Sequence, residues 1–151
     1  MLIQFETYDK VFLDCSIRWL DDPEIKRLTM APPIDHIQQE IWFQSLDERK
    51  DYFIRGIMAD GIPIGAMGIK HIDFIKEEGE YWGYIGEKEF IGRGIGNLLL
   101  TNAFDEARRM GLKRLLLHVA DYNKRAYNLY LKHEFMEMVR ENGIITMEKI
   151  L

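Results

Sequence analysis

Apolar and polar residues change their spacing several times along the chain, and each change marks an element. The opening, Leu2-Ile3-Gln4-Phe5-Glu6-Thr7, alternates and predicts a strand. Residues 11 to 29 carry apolar side chains at helical spacing, with Val11, Leu13, Ile17, Leu20, Ile25 and Leu28 as the expected core face. Asp22-Pro23 inside that stretch marks a fresh helix start, with Asp22 as cap and Pro23 in the first turn. Ala31-Pro32-Pro33 ends the segment, and a further helix is expected from about Asp35 to Leu46, carrying Ile37, Ile41, Trp42 and Leu46. The spacing then shortens. Tyr52 to Ala59 and Ile62 to Ile72 read as a hairpin around Asp60-Gly61, and Glu80 to Gly86 reads as a third strand after the turn at residues 76 to 79. Pro63 weakens the first ladder position of its strand.

Residues 92 to 111 hold a glycine-rich turn and a helix with Leu99, Leu100, Ala103, Phe104, Ala107 and Met110 on one face, closed by Gly111. Leu115 to Ala120 is an apolar run broken only by His118, as expected of a strand covered on both faces. Lys124 to Lys132 reads as a short helix, and Phe135 to Leu151 as a hairpin turning at Asn142-Gly143. The strand–helix–strand step between residues 80 and 120 implies one parallel pair inside a mostly antiparallel sheet. The expected fold is therefore mixed α/β, a single domain over residues 1–151 with helices on both faces of the sheet.

Composition narrows the possible partners. The chain of 151 residues carries 25 acidic and 20 basic side chains, a net charge of −5, which disfavours a duplex nucleic-acid binder because such affinity comes from excess Lys and Arg. No apolar run approaches the roughly 20 residues that cross a bilayer, so no membrane partner is expected. The single cysteine, Cys15, forms no internal disulfide, and the first residues lack the basic start and apolar core of a signal peptide. The expected compartment is the cytoplasm. The four histidines show no ligand spacing, so no metal is expected.

The most informative segment is Ile91-Gly92-Arg93-Gly94-Ile95-Gly96-Asn97, between a strand and an amphipathic helix. Glycines admit close ligand approach, and the unpaired amides and dipole at a helix start favour an anion such as pyrophosphate. On pattern alone the segment reads equally as a tight connection. It is not a nucleoside-triphosphate loop, because no G-x-x-x-x-G-K-[S/T] run is present, and the two helices and hairpin before it fit a dinucleotide fold poorly.

About 25 residues on stand Asn123, Ala126, Leu129, Tyr130, Lys132 and Phe135. Together with Gly94 and Gly96, these residues resemble the GNAT superfamily of acyl-CoA-dependent N-acetyltransferases, whose later motif reads Asn-x-x-Ala-x-x-Leu-Tyr-x-Lys-x-Gly-Phe. Ile91 stands where that family has Gln or Arg, and Glu134 where it has glycine. The likeness in element order runs over nearly the whole chain, and the specific motifs lie in residues 84 to 135.

The resemblance implies acetyl-CoA as co-substrate, direct transfer to an amine, and no acyl-enzyme on Cys15. It implies that the backbone of Tyr84, Ile85 and Gly86 pairs with the pantetheine arm, with Gly86 as a candidate bulge. The pyrophosphate would lie on Ile91, Gly92, Arg93, Gly94, Ile95, Gly96 and Asn97, with Asn123 and Lys132 also at the cofactor and Lys124 and Arg125 near its phosphates. Tyr130 becomes the candidate acid for the leaving thiolate; by spacing alone it reads as an aromatic on the inner face of a short helix. His118 is the candidate base, with Glu80 as rival, although His118 also reads as a hydrogen-bonded core histidine and Glu80 as an exposed turn charge. His36, His71 and His133 read as surface or strand-edge residues.

The acceptor is expected to be a small-molecule amine. Residues 19 to 25 and Ile41-Trp42-Phe43 are similar to a branch acting on nucleotide-linked amino sugars, with His36 the histidine nearest to Trp42. Transfer to a protein or peptide amine, and a non-catalytic acyl-CoA-binding module, stay open beside it. A monomer or homodimer is expected.

Overall fold

One seven-stranded sheet runs through the computed structural model, which describes residues 1–151. Its strands are β1 (Ile3–Glu6), β2 (Phe53–Ala59), β3 (Ile62–Asp73), β4 (Glu78–Ile85), β5 (Arg114–Ala120), β6 (Met136–Glu141) and β7 (Ile144–Ile150), ordered β1-β2-β3-β4-β5-β7-β6. All neighbours are antiparallel except β4 and β5. The helices are α1 (Lys10–Asp21), α2 (Pro23–Thr29), α3 (His36–Ser45), α4 (Ile95–Arg109) and α5 (Lys124–Lys132). This is the mixed α/β architecture the residue pattern predicts.

Local chemistry explains where the helices begin. Asp9, Asp22 and Asp35 each accept two backbone N–H groups of the first turn of α1, α2 and α3. Pro23 takes the first position of α2, where its missing N–H costs nothing. Both tight hairpins turn on residues with positive φ, Asp60-Gly61 and Asn142-Gly143, matching the twist of the strands they join. Pro63 sits at a bulge, where the β2–β3 register shifts between Ile57 and Met58.

Two apolar layers hold the helices to the sheet. α4 and α5 cover one face through Leu99, Leu100, Ala103, Leu115, Leu117 and Phe135. α1 to α3 cover the other through Tyr8, Phe12, Leu13, Trp19 and Ala66, with Trp42, Tyr52, Trp82 and Tyr84 in contact around them.

The structure corrects four details of the pattern. α1 turns Phe12, Leu13, Ser16 and Trp19 inward, so Val11 is exposed. α3 buries no residue fully, and Ile37 and Ile41 are 73% and 63% exposed, because only its Trp42–Phe43 side reaches the sheet. β5 is covered on the Leu115, Leu117 and Val119 face, while Leu116 and His118 line an incompletely covered one. β4 starts two residues earlier than expected, at Glu78.

Glu134 closes α5 with a left-handed φ of 70°. A side chain costs about 1–2 kcal/mol in that conformation, and glycine returns roughly 0.4–1 kcal/mol of that through a more disordered unfolded chain. Glu134→Gly is therefore expected to stabilise the fold by about 0.5–1 kcal/mol. Urea unfolding checks this, and a lowered midpoint contradicts it.

Candidate active site

The parallel pairing of β4 and β5 is short. It joins Glu78 to Arg114, Gly79 to Leu115 and Glu80 to Leu116, and then stops. From Tyr81 onward β4 is paired on one side only, with β3. An edge of unpaired peptide groups thus faces a V-shaped opening in mid-sheet, able to accept an extended chain as an added strand. The expected bulge lies at Gly86: the amides of Gly86 and Glu87 both donate to Ile64 O, at 2.7 and 3.2 Å, so two residues just after β4 oppose one of β3. The separation of β4 from β5 already begins five residues earlier, at Tyr81. Packing also calls for glycine at 86, since an added Cβ would overlap the Trp19 indole.

At the wide end of the opening lies the glycine turn. Gly92 and Gly94 both have φ of 81°, and Gly94 caps α4 with no side-chain hydrogen bond. The amides of Arg93, Gly94, Ile95 and Gly96 donate to no acceptor within the chain. A Cβ at Gly94 would meet nothing closer than Asn97 Nδ2 at 3.8 Å, so the space before these amides is open. Arg93 stacks over Phe90, and the Arg125 guanidinium lies beside Gly92. Free donors, a helix start and two guanidiniums fit a pyrophosphate. Gly96 has a packing role as well, since a Cβ there would come within 2.8 Å of Leu129 on α5.

Several expected cofactor residues turn out to be tied into the protein. Asn97 donates from Nδ2 to Gly94 O and accepts at Oδ1 from His133 Nε2, at 3.1 and 2.7 Å. Burial lowers the His133 pKa, with help from Lys132 and Lys149. His133 is therefore not a free surface group. Asn123 caps α5 by accepting the Ala126 amide, and its Nδ2 donates to Leu28 O. Lys132 is exposed and free, while Ile91 is half-buried and donates its amide to Lys88 O.

Tyr130 lies on the α4–α5 face, its ring edge-on to Tyr81 and Phe135 at 6.3 and 5.8 Å. Its hydroxyl makes no hydrogen bond within the chain, and burial pushes its pKa up to about 12. It is a protonated, uncommitted donor. Tyr81 beside it is pushed well above the usual phenol range by burial and by the Tyr130 phenol.

On the opposite face, His118 and Glu80 meet. His118 Nδ1 stands 3.3 Å from Glu80 Oε2, with His118 44% exposed and Glu80 only 16%. His118 is two residues past the last β4–β5 pair and so lies at the opening. Glu80 is not an exposed turn charge: it sits in the ladder opposite Lys70, whose Nζ is 3.5 Å away, and its other oxygen is 3.4 Å from His71 Nδ1. Adjacent residues on a strand normally point to opposite faces. Lys70 and His71 both reach Glu80 because the register shifts between Lys70 and Asp73 and His71 takes a φ of 53°. Beside this cluster Trp42, Tyr52, Trp82 and Tyr84 form a run of rings with successive centroids 6.0 to 6.4 Å apart. No group of three or more His, Cys, Asp or Glu is arranged to hold a metal ion.

Residues 15–135 match the acetyltransferase (GNAT) family model. The chain belongs to that family. It is an acetyl-CoA-dependent N-acetyltransferase, and no curated protein matches it in sequence. Its fold is similar to that of spermidine N-acetyltransferase from Vibrio cholerae in complex with CoA and spermine, with TM-score 0.86 and 19% identity over 98% of this chain and 95% of that one. The PaiA N-acetyltransferase of Thermoplasma acidophilum, in complex with coenzyme A, matches with TM-score 0.77 and 22% identity, both chains fully covered. Campylobacter jejuni N-acetyltransferase PseH, in complex with acetyl coenzyme A, matches with TM-score 0.72 and 15% identity over 99% of each chain.

Tyr52, Trp82, Lys70 and the true setting of Glu80 escape a reading of the sequence. The signals were present as alternate positions on two strands, but nothing in the residue order says that the β3 register shifts.

Proposed function

We propose that this acetyltransferase acts on an amino sugar carried on a nucleotide, with His118, oriented by Glu80, as base and Tyr130 as acid. Acetyl-CoA supplies the activated acetyl group. The open turn at Gly92–Gly96, with Arg93 and Arg125, would hold its pyrophosphate, and the free edge of Tyr84–Ile85 would pair with its pantetheine arm. Asn97 and Asn123 support this site by fixing α4 and α5, and Lys132 adds charge at its rim. A sugar amine is less basic than the lysine amine, because neighbouring oxygens withdraw electrons, yet it still arrives largely protonated at neutral pH. His118 takes the proton through Nε2 while Nδ1 faces Glu80. Tyr130, from the other face, gives its proton to the departing thiolate.

The observation that carries the acceptor class is the aromatic run beside a carboxylate already balanced by a lysine. Aromatic faces suit the C–H faces of a sugar ring. A polyamine, the ligand seen with the Vibrio protein, calls for surplus carboxylates. Here the neighbouring acids are paired: Asp51 is held below the usual carboxylate range by Arg49, and Glu78 and Glu148 share Arg114.

Coenzyme A release is to be measured with a UDP-linked amino sugar, with spermidine and with an N-terminal peptide. The sugar should be turned over best. Trp42→Ala should raise its KM about tenfold, with the acetyl-CoA KM unchanged, as expected for about 1.4 kcal/mol of lost contact. A purely structural tryptophan would instead cost about 3–5 kcal/mol of stability and move both constants. Turnover of spermidine or peptide with none of the sugar would overturn the acceptor while leaving the acetyltransferase intact.

A further inference from the structure

α2 touches both sides of the opening. At its start, Lys88, just past the end of β4, reaches Asp22 at 2.9 Å and Glu24 at 3.4 Å. The preceding residue, Glu87, accepts from Trp19 Nε1 at 2.7 Å and pairs with Arg18 at 2.8 Å. At the far end of α2 the grip comes from residues just past β5. Tyr122 donates its hydroxyl to Arg27 O at 2.6 Å, Asn123 Nδ2 donates to Leu28 O at 3.3 Å, and the Arg27 guanidinium lies 5.1 Å over the Tyr122 ring.

We propose that α2 is a strut that holds the ends of β4 and β5 apart and so fixes the width of the acetyl-CoA slot, with Tyr122 as the residue that latches it on the β5 side. Length supports this. From Asp22 to Leu28 is six residues, or about 9 Å of helix. Two spacings of paired strands come to about 9.6 Å. A rigid spacer of that length leaves room for one extended chain between the two strand ends. Both carbonyls gripped by residues 122 and 123 lie in the last turn of α2, where helix carbonyls have no partner of their own. Tyr122 is 47% exposed and donates its one hydroxyl proton to Arg27 O, which makes it a positioning residue.

Tyr122→Phe removes the latch and leaves the ring. Two measurements on the full chain test the strut, neither needing the acceptor. Hydrogen exchange without ligand should speed up at Lys26, Met30 and Ala31, whose amides bond within or just after α2, while the β2–β3 hairpin exchanges as before. Calorimetry with coenzyme A should show the dissociation constant rising about three- to tenfold, the range for one net hydrogen bond. A loss of general stability alone would not weaken coenzyme A binding well below the melting temperature. Unchanged exchange in α2 overturns the strut, whether or not affinity falls, because a fall without faster exchange means direct contact between Tyr122 and the ligand. Faster exchange with unchanged affinity overturns it equally, since the slot would then keep its width unaided.

Discussion

Replacing Tyr130 by Phe is expected to lower turnover by about 10²- to 10⁴-fold, the range for losing a general acid, while acetyl-CoA affinity and stability change little. The ring contacts with Tyr81 and Phe135 survive in the variant, and the hydroxyl that is removed holds no partner in the chain. Its loss therefore leaves no buried group unsatisfied, which is the usual source of a stability cost. Burial raises the Tyr130 pKa to about 12, so the neutral phenol persists across the working range. The folded value lies above the usual value near 10, so the proton is held more tightly in the fold. Stability from this group is present below about pH 10 and is lost as pH rises through about 12. The wild-type rate should accordingly show no alkaline decline from Tyr130 below about pH 10, and the Phe variant should keep the same profile at a lower level. Single-turnover measurements check both points. Full activity in the variant would remove Tyr130 from the chemistry.

Much of the fold was legible because its signals are local. Asp22-Pro23 and Asp35 at helix starts, Asp-Gly and Asn-Gly at hairpin turns and a glycine turn before an amphipathic helix each act over a few residues. The Asp9 cap of α1, by contrast, shows only in the structure. The core face of α1 lies about a quarter turn from the one the apolar spacing suggests, with Leu13 common to both, because Phe12, Ser16 and Trp19 outweigh Val11 once the sheet is in place. α3 departs from its pattern for a related reason: its apolar spacing carries Ile37 and Ile41, but only one side of the helix meets the sheet. At the site, the glycine turn and Tyr130 stand in contiguous motifs. The Glu80 cluster does not, because it depends on cross-strand register and on a bulge in β3. Asn97 and Asn123 show the converse. Their places in the motif suggested ligand contacts, yet their carboxamides are engaged in tying α4 to His133 and α5 to α2.

The second large effect is expected at His118. His118→Ala should lower turnover by about 10²- to 10³-fold within the range for a lost general base, and Glu80→Gln by a smaller factor. The two residues act as a unit if Glu80 works by holding the imidazole Nδ1, so the double variant should be no slower than His118→Ala alone. Independent roles would instead give losses that multiply. Glu80 also meets Lys70 and His71, so a structural effect of its replacement is to be separated from a chemical one. The acceptor does this. An aminooxy analogue of the sugar carries a nucleophile that is already neutral at pH 7, and it has less need of a base. The His118→Ala deficit should shrink with that analogue, whereas the Tyr130→Phe deficit should persist, because the departing thiolate is the same. A His118 deficit that is equal for both acceptors would move the histidine from proton transfer to acceptor binding, and a double variant far slower than either single one would dissolve the pairing with Glu80.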